Sequence, residues 1–290
     1  MTGPPGYRAD LELALAGVVE AAGPIMATFR TDPEVRHKGP DQPVTDADLA
    51  ADALLRERLT GERPGYGWLS EESVDSDARL DRARVWIADP IDGTRSYIQG
   101  YREFAVSVAL AERGRPVVGV IYNPAAAHVV WAVAGAGARS LEDWDGALPV
   151  ADAGAELDLS QPGDGADRTL LASRSERADG EFEPFAAGWS IRELGSTAWK
   201  MAAVALGRGS YISRGPKSEW DVAAGVLIIR EAGGVVTDLR GERIALNRPE
   251  PYVHGVVAGR PGAHRRLLER ARGLASPRLH RDAWKGDEQG

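Results

Sequence analysis

Apolar residues at Leu11, Leu15, Val18, Val19, Ala22, Met26 and Phe29 recur at intervals of three and four. That spacing predicts an amphipathic helix over Asp10–Arg30. A second helix is expected after Val44-Thr45-Asp46, where Thr45 or Asp46 can satisfy free backbone N–H groups at the helix start. Tyr66–Leu69 and Arg84–Ala88 read as short apolar strands, the first followed by the acidic turn Ser70-Glu71-Glu72-Ser73 and the second ending at Asp89-Pro90. Phe104–Ala111, Pro116–Tyr122 and His128–Ala134 read as three successive strands with tight connections.

From about residue 140 to 168 the chain turns acidic and rich in Gly and Asp, and a subdomain boundary is expected near Pro149. Beyond it, strands (Leu170–Ser173, Ser210–Ser213, Val235–Asp238, Val253–Ala258) alternate with helices (Thr197–Leu206, Glu219–Ala232, Ala263–Leu274). Gly233-Gly234 closes the middle helix. The expected division is an α+β unit over 7–148, an α/β unit over 149–275 and a polar tail over 276–290. The fold class is α/β, with sheets and helices in layers.

The chain has 290 residues, with 35 Lys and Arg against 43 Asp and Glu, a net charge of −8. An acidic balance argues against a protein that grips nucleic-acid phosphates over a broad basic face. There is no cysteine, which removes disulfides, thiolate metal sites and cysteine nucleophiles. No stretch reads as a membrane span and the N-terminus lacks the pattern of a signal peptide, so a cytoplasmic location is expected. The five histidines are scattered, and neither a Walker A motif nor HExxH occurs. Gly135-Ala136-Gly137 reads as a hairpin turn, not a nucleotide loop.

Candidate chemistry concentrates in Trp86–Thr94, WIADPIDGT. An apolar strand delivers Asp89, Pro90 fixes a turn, and Asp92 follows just before Gly93-Thr94. Two carboxylates at a rigid turn suit a hard divalent cation such as Mg²⁺. A helical turn opening at Gly93 and Thr94 would present N–H groups to a phosphate. Taken singly, Glu71 reads as a solvated loop charge and Asp221 as a helix-start residue favoured by the dipole. Together, four carboxylates beside apolar segments call for bound counter-charge.

Leu69–Ser73 (LSEES), Trp86–Thr94 and Trp220–Asp238 (WDVAAGVLIIREAGGVVTD) resemble, in order and spacing, the three signature blocks of the inositol monophosphatase superfamily. The resemblance runs from the first helix to about residue 260. It implies an αβαβα sandwich and hydrolysis of a phosphomonoester with two or more Mg²⁺ ions, usually sensitive to lithium. Glu71, Asp89 and the Ile91 carbonyl would hold one ion, and Asp89, Asp92 and Asp221 a second. Glu71 and Thr94 would position the attacking water, with Thr94 oriented by Asp48. Asp46 competes with Asp48 for that role, and either could instead be a helix cap.

For the substrate, Arg214 stands seven residues before Asp221, where inositol monophosphatases tend to carry a Glu, and Glu219 is too close to Trp220 to replace it. Ala172–Ser175 and Gly195–Lys200 resemble the CysQ-like bisphosphate nucleotidase branch. Lys200, Arg214, Arg174 and Lys217 would supply cations for a second phosphate. The expected substrate is therefore 3′-phosphoadenosine 5′-phosphate ahead of inositol 1-phosphate, with fructose bisphosphate and histidinol phosphate behind. Partners are a small phosphorylated metabolite, with no nucleic acid or membrane, and a homodimer is compatible with the sequence. A catalytically silent binding protein on the same fold is the non-enzyme alternative.

Overall fold

The computed structural model describes residues 5–39, 42–148, 152–161, 166–272 and 274. Helix α1 (Pro5–Thr28) leads into a hairpin of β1 (Val35–Gly39) and β2 (Gln42–Thr45), then helix α2 (Asp46–Glu62). A seven-stranded sheet follows in spatial order β3 (Gly67–Ser70), β4 (Arg84–Asp92), β5 (Ala105–Glu112), β6 (Arg115–Asn123), β7 (His128–Val133), β8 (Ala138–Leu141) and β9 (Ala155–Glu156), with helix α3 (Thr94–Ile98) after β4. Among the described residues of this sheet, only the β3–β4 pairing is parallel. The second sheet is built from β10 (Thr169–Ala172), β11 (Ser190–Glu193), β12 (Ser210–Ser218), β13 (Val235–Thr237) and β14 (Tyr252–Gly259), in the order β11-β10-β12-β14-β13. The remaining α-helices among the described residues are α4 (Arg174–Ala178), α5 (Thr197–Ala205), α6 (Glu219–Glu231) and α7 (Pro261–Arg272).

Both faces of the larger sheet are buried, which is why its strands are continuous apolar runs. Trp86, Ala88, Val106 and Val108 pack with Leu15, Val18 and Leu55 of α1 and α2. The alternate residues Val85, Ile87, Ala105 and Ala109 pack with α5 and α6 and, beyond them, with Tyr211, Val256 and Ala258 of the smaller sheet. Leu170, Ile212 and Val257 face outward to Leu267 and Ala271 of α7. The layers therefore run α, β, α, β, α, as the resemblance implied.

α6 packs hard on the larger sheet. A Cβ on Gly119 of β6 would stand 2.8 Å from the Ala224 carbonyl oxygen of α6, so only glycine permits this approach.

Several expectations need correction. β4 does not end at Asp89-Pro90 but runs on to Asp92, and β12 continues past Ser213 to Ser218. The strands β1, β2, β8, β9 and β11 carry too many polar or small residues to show alternation and were not anticipated. α1 over Gly6–Thr28 is, by length and composition, apolar enough to cross a membrane, contrary to the reading of its sequence. More than half of that stretch is buried against the rest of the fold. The boundary expected near Pro149 and the tail from residue 276 lie outside the described residues. The largest apolar core joins residues from both sides of that boundary.

Candidate active site

β4 pairs with β5 through Asp89↔Ser107 and Asp92↔Ala105, so three steps on one strand match two on the other. Residues three apart on a regular strand point to opposite faces. The bulge restores phase, and Pro90 is tolerated there because no ladder N–H is required. Gly93 follows at φ +99°, with its absent Cβ only 3.0 Å from the Glu103 carbonyl oxygen. That conformation lets the chain turn at once into α3, which presents Thr94.

α6 brings Asp221 to the same place. The Ser107 hydroxyl, opposite Asp89 on β5, donates to the Trp220 carbonyl oxygen at 3.2 Å, fixing the start of the helix beside the bulge. Glu71 arrives from the turn after β3. Carboxylate oxygens of Glu71, Asp89 and Asp221 lie within 4.8 Å of one another.

Asp89 Oδ1 accepts from the Ile91 N–H at 3.0 Å, whereas its buried Oδ2 accepts no hydrogen bond among the described residues. Burial, and then the charges of their neighbours, push the Asp89 and Asp221 carboxyls well above the ordinary aspartate range. An all-oxygen donor set with an orphaned, buried carboxylate oxygen fits a hard divalent cation.

Asp92 is placed differently. It lines the cleft, but its Oδ2 accepts from the Ser196 hydroxyl at 2.6 Å and from the Ala198 N–H, so it caps the start of α5. Burial raises its pKa, and these bonds together with Lys200 oppose the rise. Ser196, at φ +64° in a region unfavourable for a side chain, also accepts from the Trp199 N–H. Strained backbone of this kind persists where the surroundings over-determine it.

Tertiary position separates Asp46 from Asp48. Asp46 is exposed and pairs with Arg36. Asp48 is buried, takes N–H and hydroxyl bonds from Thr45 on Oδ2, and accepts from Thr94 Oγ1 at 3.1 Å on Oδ1. The Thr94 hydroxyl also lies 3.0 Å from the Ile91 carbonyl oxygen. Burial raises the Asp48 pKa above its ordinary value despite these donors.

A cleft of about 690 Å³ opens over these groups and is lined by Glu71, Ile91, Asp92, Gly93, Thr94, Arg174, Lys200, Lys217 and Asp221. Of the four expected substrate cations, Arg214 is not among the residues that line it. Arg174 pairs with Glu103 at 2.7 Å and lies over the Tyr101 ring.

Glu176, which no sequence motif marks, organises the other two cations. It accepts from Lys217 Nζ at 2.9 Å and from Ser173 Oγ at 2.5 Å, with Lys200 Nζ at 3.7 Å. Burial would raise the Glu176 carboxyl, but the two lysines hold it well below the usual carboxylate range. Lys200, almost fully buried above the Tyr211 ring, is pushed down to about 8 by burial. Lys38 was also missed. Its ammonium reaches Glu71 at 3.1 Å and Glu72 at 2.7 Å.

Comparison with known proteins agrees with this architecture. The family model described as the inositol monophosphatase family matches residues 9–285. An inositol-1-monophosphatase from Mesorhizobium japonicum is 36% identical over 241 residues, covering 81% of this chain and 85% of that protein. A 3′(2′),5′-bisphosphate nucleotidase CysQ from Aggregatibacter actinomycetemcomitans is 32% identical over 228 residues, covering 76% and 81%. The crystal structure of extragenic suppressor protein suhB from Bartonella henselae superposes with a TM-score of 0.77 at 28% identity, covering 92% of this chain and 100% of that one. With matched sequence reaching from the first helix past the last strand, and the same fold around the acidic cleft, the chain belongs to the inositol monophosphatase family, a family of metal-dependent phosphatases.

Proposed function

We propose that the chain is a Mg²⁺-dependent phosphomonoesterase acting on a small hydroxylated phosphate ester of the inositol 1-phosphate type. The observation that carries the phosphatase reading is the convergence of Glu71, Asp89 and Asp221 beside the Thr94–Asp48 pair at the floor of one cleft. Glu71, Asp89 and the Ile91 carbonyl would hold one cation; Asp89, Asp92 and Asp221 a second. Cations bound there supply Lewis-acid charge to the phosphoryl oxygens and ease deprotonation of water.

The protein's own groups orient the attack. The Thr94 hydrogen is directed to Asp48 or to the Ile91 carbonyl, which leaves an oxygen lone pair toward the cleft to accept a hydrogen bond from water. As the water attacks, its proton can pass to Thr94 Oγ1 while the Thr94 proton passes to Asp48 Oδ1. Burial makes Asp48 more basic than an exposed aspartate, which favours that transfer. Gly93 and Thr94 present their backbone to the phosphate, and water in the cleft reprotonates the leaving alcohol.

Two considerations favour the inositol-type ester over 3′-phosphoadenosine 5′-phosphate, the reverse of the order expected from sequence. Arg214 is not among the cleft-lining residues, and Arg174 already carries Glu103 as a partner. The more similar relatives bear the inositol-1-monophosphatase name. The bisphosphate reading is retained on one observation: Lys200 and Lys217 both line the cleft and share the single carboxylate of Glu176. Rates measured as kcat/KM for both esters under saturating Mg²⁺ decide the order, and no hydrolysis of any phosphomonoester would refute the reading in favour of a silent binding protein.

A further inference from the structure

Helix α2 carries two buried carboxylates one turn apart, Asp48 and Asp52. Residues four apart share a helix face. Asp48 meets Thr94, whereas Asp52 meets the turn that carries Glu71. Its Oδ1 accepts from the Ser70 hydroxyl and its Oδ2 from the Ser73 hydroxyl at 2.5 Å. Ser73 Oγ accepts in turn from Trp68 Nε1 at 3.1 Å. Ser70 and Ser73 bracket Glu71 and Glu72, so one carboxylate closes this turn at both ends.

Glu71 needs such a closure. Its own N–H reaches the Ala88 carbonyl oxygen only at 3.4 Å, and its side chain reaches in two directions. One leads to the Lys38 ammonium, and the other to the oxygens of Asp89 and Asp221.

We infer that Asp52 is a positioning residue: by bridging Ser70 and Ser73 it holds the turn so that Glu71 stands over Asp89 and Asp221. The inference rests on the reading of Glu71 as a metal ligand. Because Asp48 and Asp52 ride on the same helix, the water-orienting pair and the metal-binding turn keep a fixed mutual register.

Asp52→Asn, Ser73→Ala and Glu71→Gln test this, with Mg²⁺ affinity measured by calorimetric titration of the metal-free protein alongside kcat, KM and the melting temperature. Loss of a hydrogen bond that orients a ligand typically weakens metal binding roughly ten- to a hundred-fold. Asp52→Asn is expected to weaken Mg²⁺ binding by that order, with KM at saturating Mg²⁺ unchanged and kcat largely restored there. Ser73→Ala moves the same way by less, and adding it to Asp52→Asn costs less than the sum of the two single effects. Wild-type Mg²⁺ affinity in Asp52→Asn, while Glu71→Gln loses affinity, overturns the clamp and leaves the metal site standing. Wild-type affinity in Glu71→Gln overturns the ligand assignment, and the clamp with it. If Asp52→Asn fails to fold, Ser73→Ala decides alone, and unchanged Mg²⁺ affinity in it overturns the inference.

Discussion

The Thr94 hydroxyl donates to Asp48 at 3.1 Å across 46 residues of chain, and the Asp48 oxygen that receives it is not the one that caps α2. Capping and orientation are thus divided between the two oxygens of one carboxylate. Thr94→Ala should lower kcat by about 10²–10⁴-fold, the usual worth of positioned proton transfer, with little change in KM. Thr94→Ser, which keeps the hydroxyl, should retain most of the rate. Steady-state kinetics at saturating Mg²⁺ check this, and an unaltered kcat in Thr94→Ala would remove the pair from the reaction.

Asp89→Asn should abolish turnover, because Asp89 is proposed to serve both cations. Its effect on the metal-free fold runs the other way. Asp89 is buried with an unpartnered oxygen and faces the charges of Glu71, Asp92 and Asp221. Removing one of several crowded charges relieves repulsion. Thermal melting in chelator should therefore show the variant at least as stable as the parent, and near-normal kcat would contradict the assignment.

Chelation should eliminate activity and Mg²⁺ restore it, with Ca²⁺ a poor substitute because its looser shell fits in-line geometry badly. Stability should respond to pH in a linked way. Asp89, Asp92 and Asp221 have folded pKa values raised above the ordinary 3.8. Their contribution to the metal-free fold is fully present below that value and is lost as pH rises through the raised folded values. Mg²⁺ displaces those protons, so its stabilising effect should grow with pH across the same window. Melting curves with and without Mg²⁺ at several pH values measure the difference, and an Mg²⁺ shift that shrinks as pH rises would oppose the site.

Lys217→Met separates the two substrate readings. If Lys217 binds a second phosphate, losing it removes a charge-assisted hydrogen bond of about 1.5–3 kcal/mol, roughly a 10- to 150-fold drop in kcat/KM for the bisphosphate. Hydrolysis of inositol 1-phosphate should fall far less. Arg214→Ala should leave both activities close to the parent, since this side chain does not line the cleft. Equal losses on both esters in Lys217→Met would reduce the lysine to a structural partner of Glu176.

Much of the fold was legible because both faces of the large sheet are buried. Strands such as Val117–Tyr122 then appear as unbroken apolar runs, and α6 as an apolar helix with Asp221 at its head. The strand Val35–Gly39 was not legible, being mostly exposed and polar. At the site, the sequence brought Asp46 and Asp48 equally close to the helix start, and only the approach of Thr94 in space distinguishes them. Arg214, seven residues before Asp221 in sequence, does not line the cleft, and β12 is irregular between Ser213 and Pro216, so spacing along the chain does not translate into position at the site. Glu176 was passed over since nothing local marks it. Its role depends on lysines contributed by α5 and β12.

Asp221 heads a helix buried between two sheets, whereas Glu71 rides on a short surface turn held by hydroxyl bonds to Asp52. Elements with such unequal burial open at unequal cost. Backbone amides of α6 should exchange with solvent only on global unfolding, and those of residues 71–76 much sooner. On warming, the metal site would then come apart from the Glu71 side while the core is still folded. The temperature at which this enzyme stops working would be set by the grip on one turn, below the temperature at which it melts.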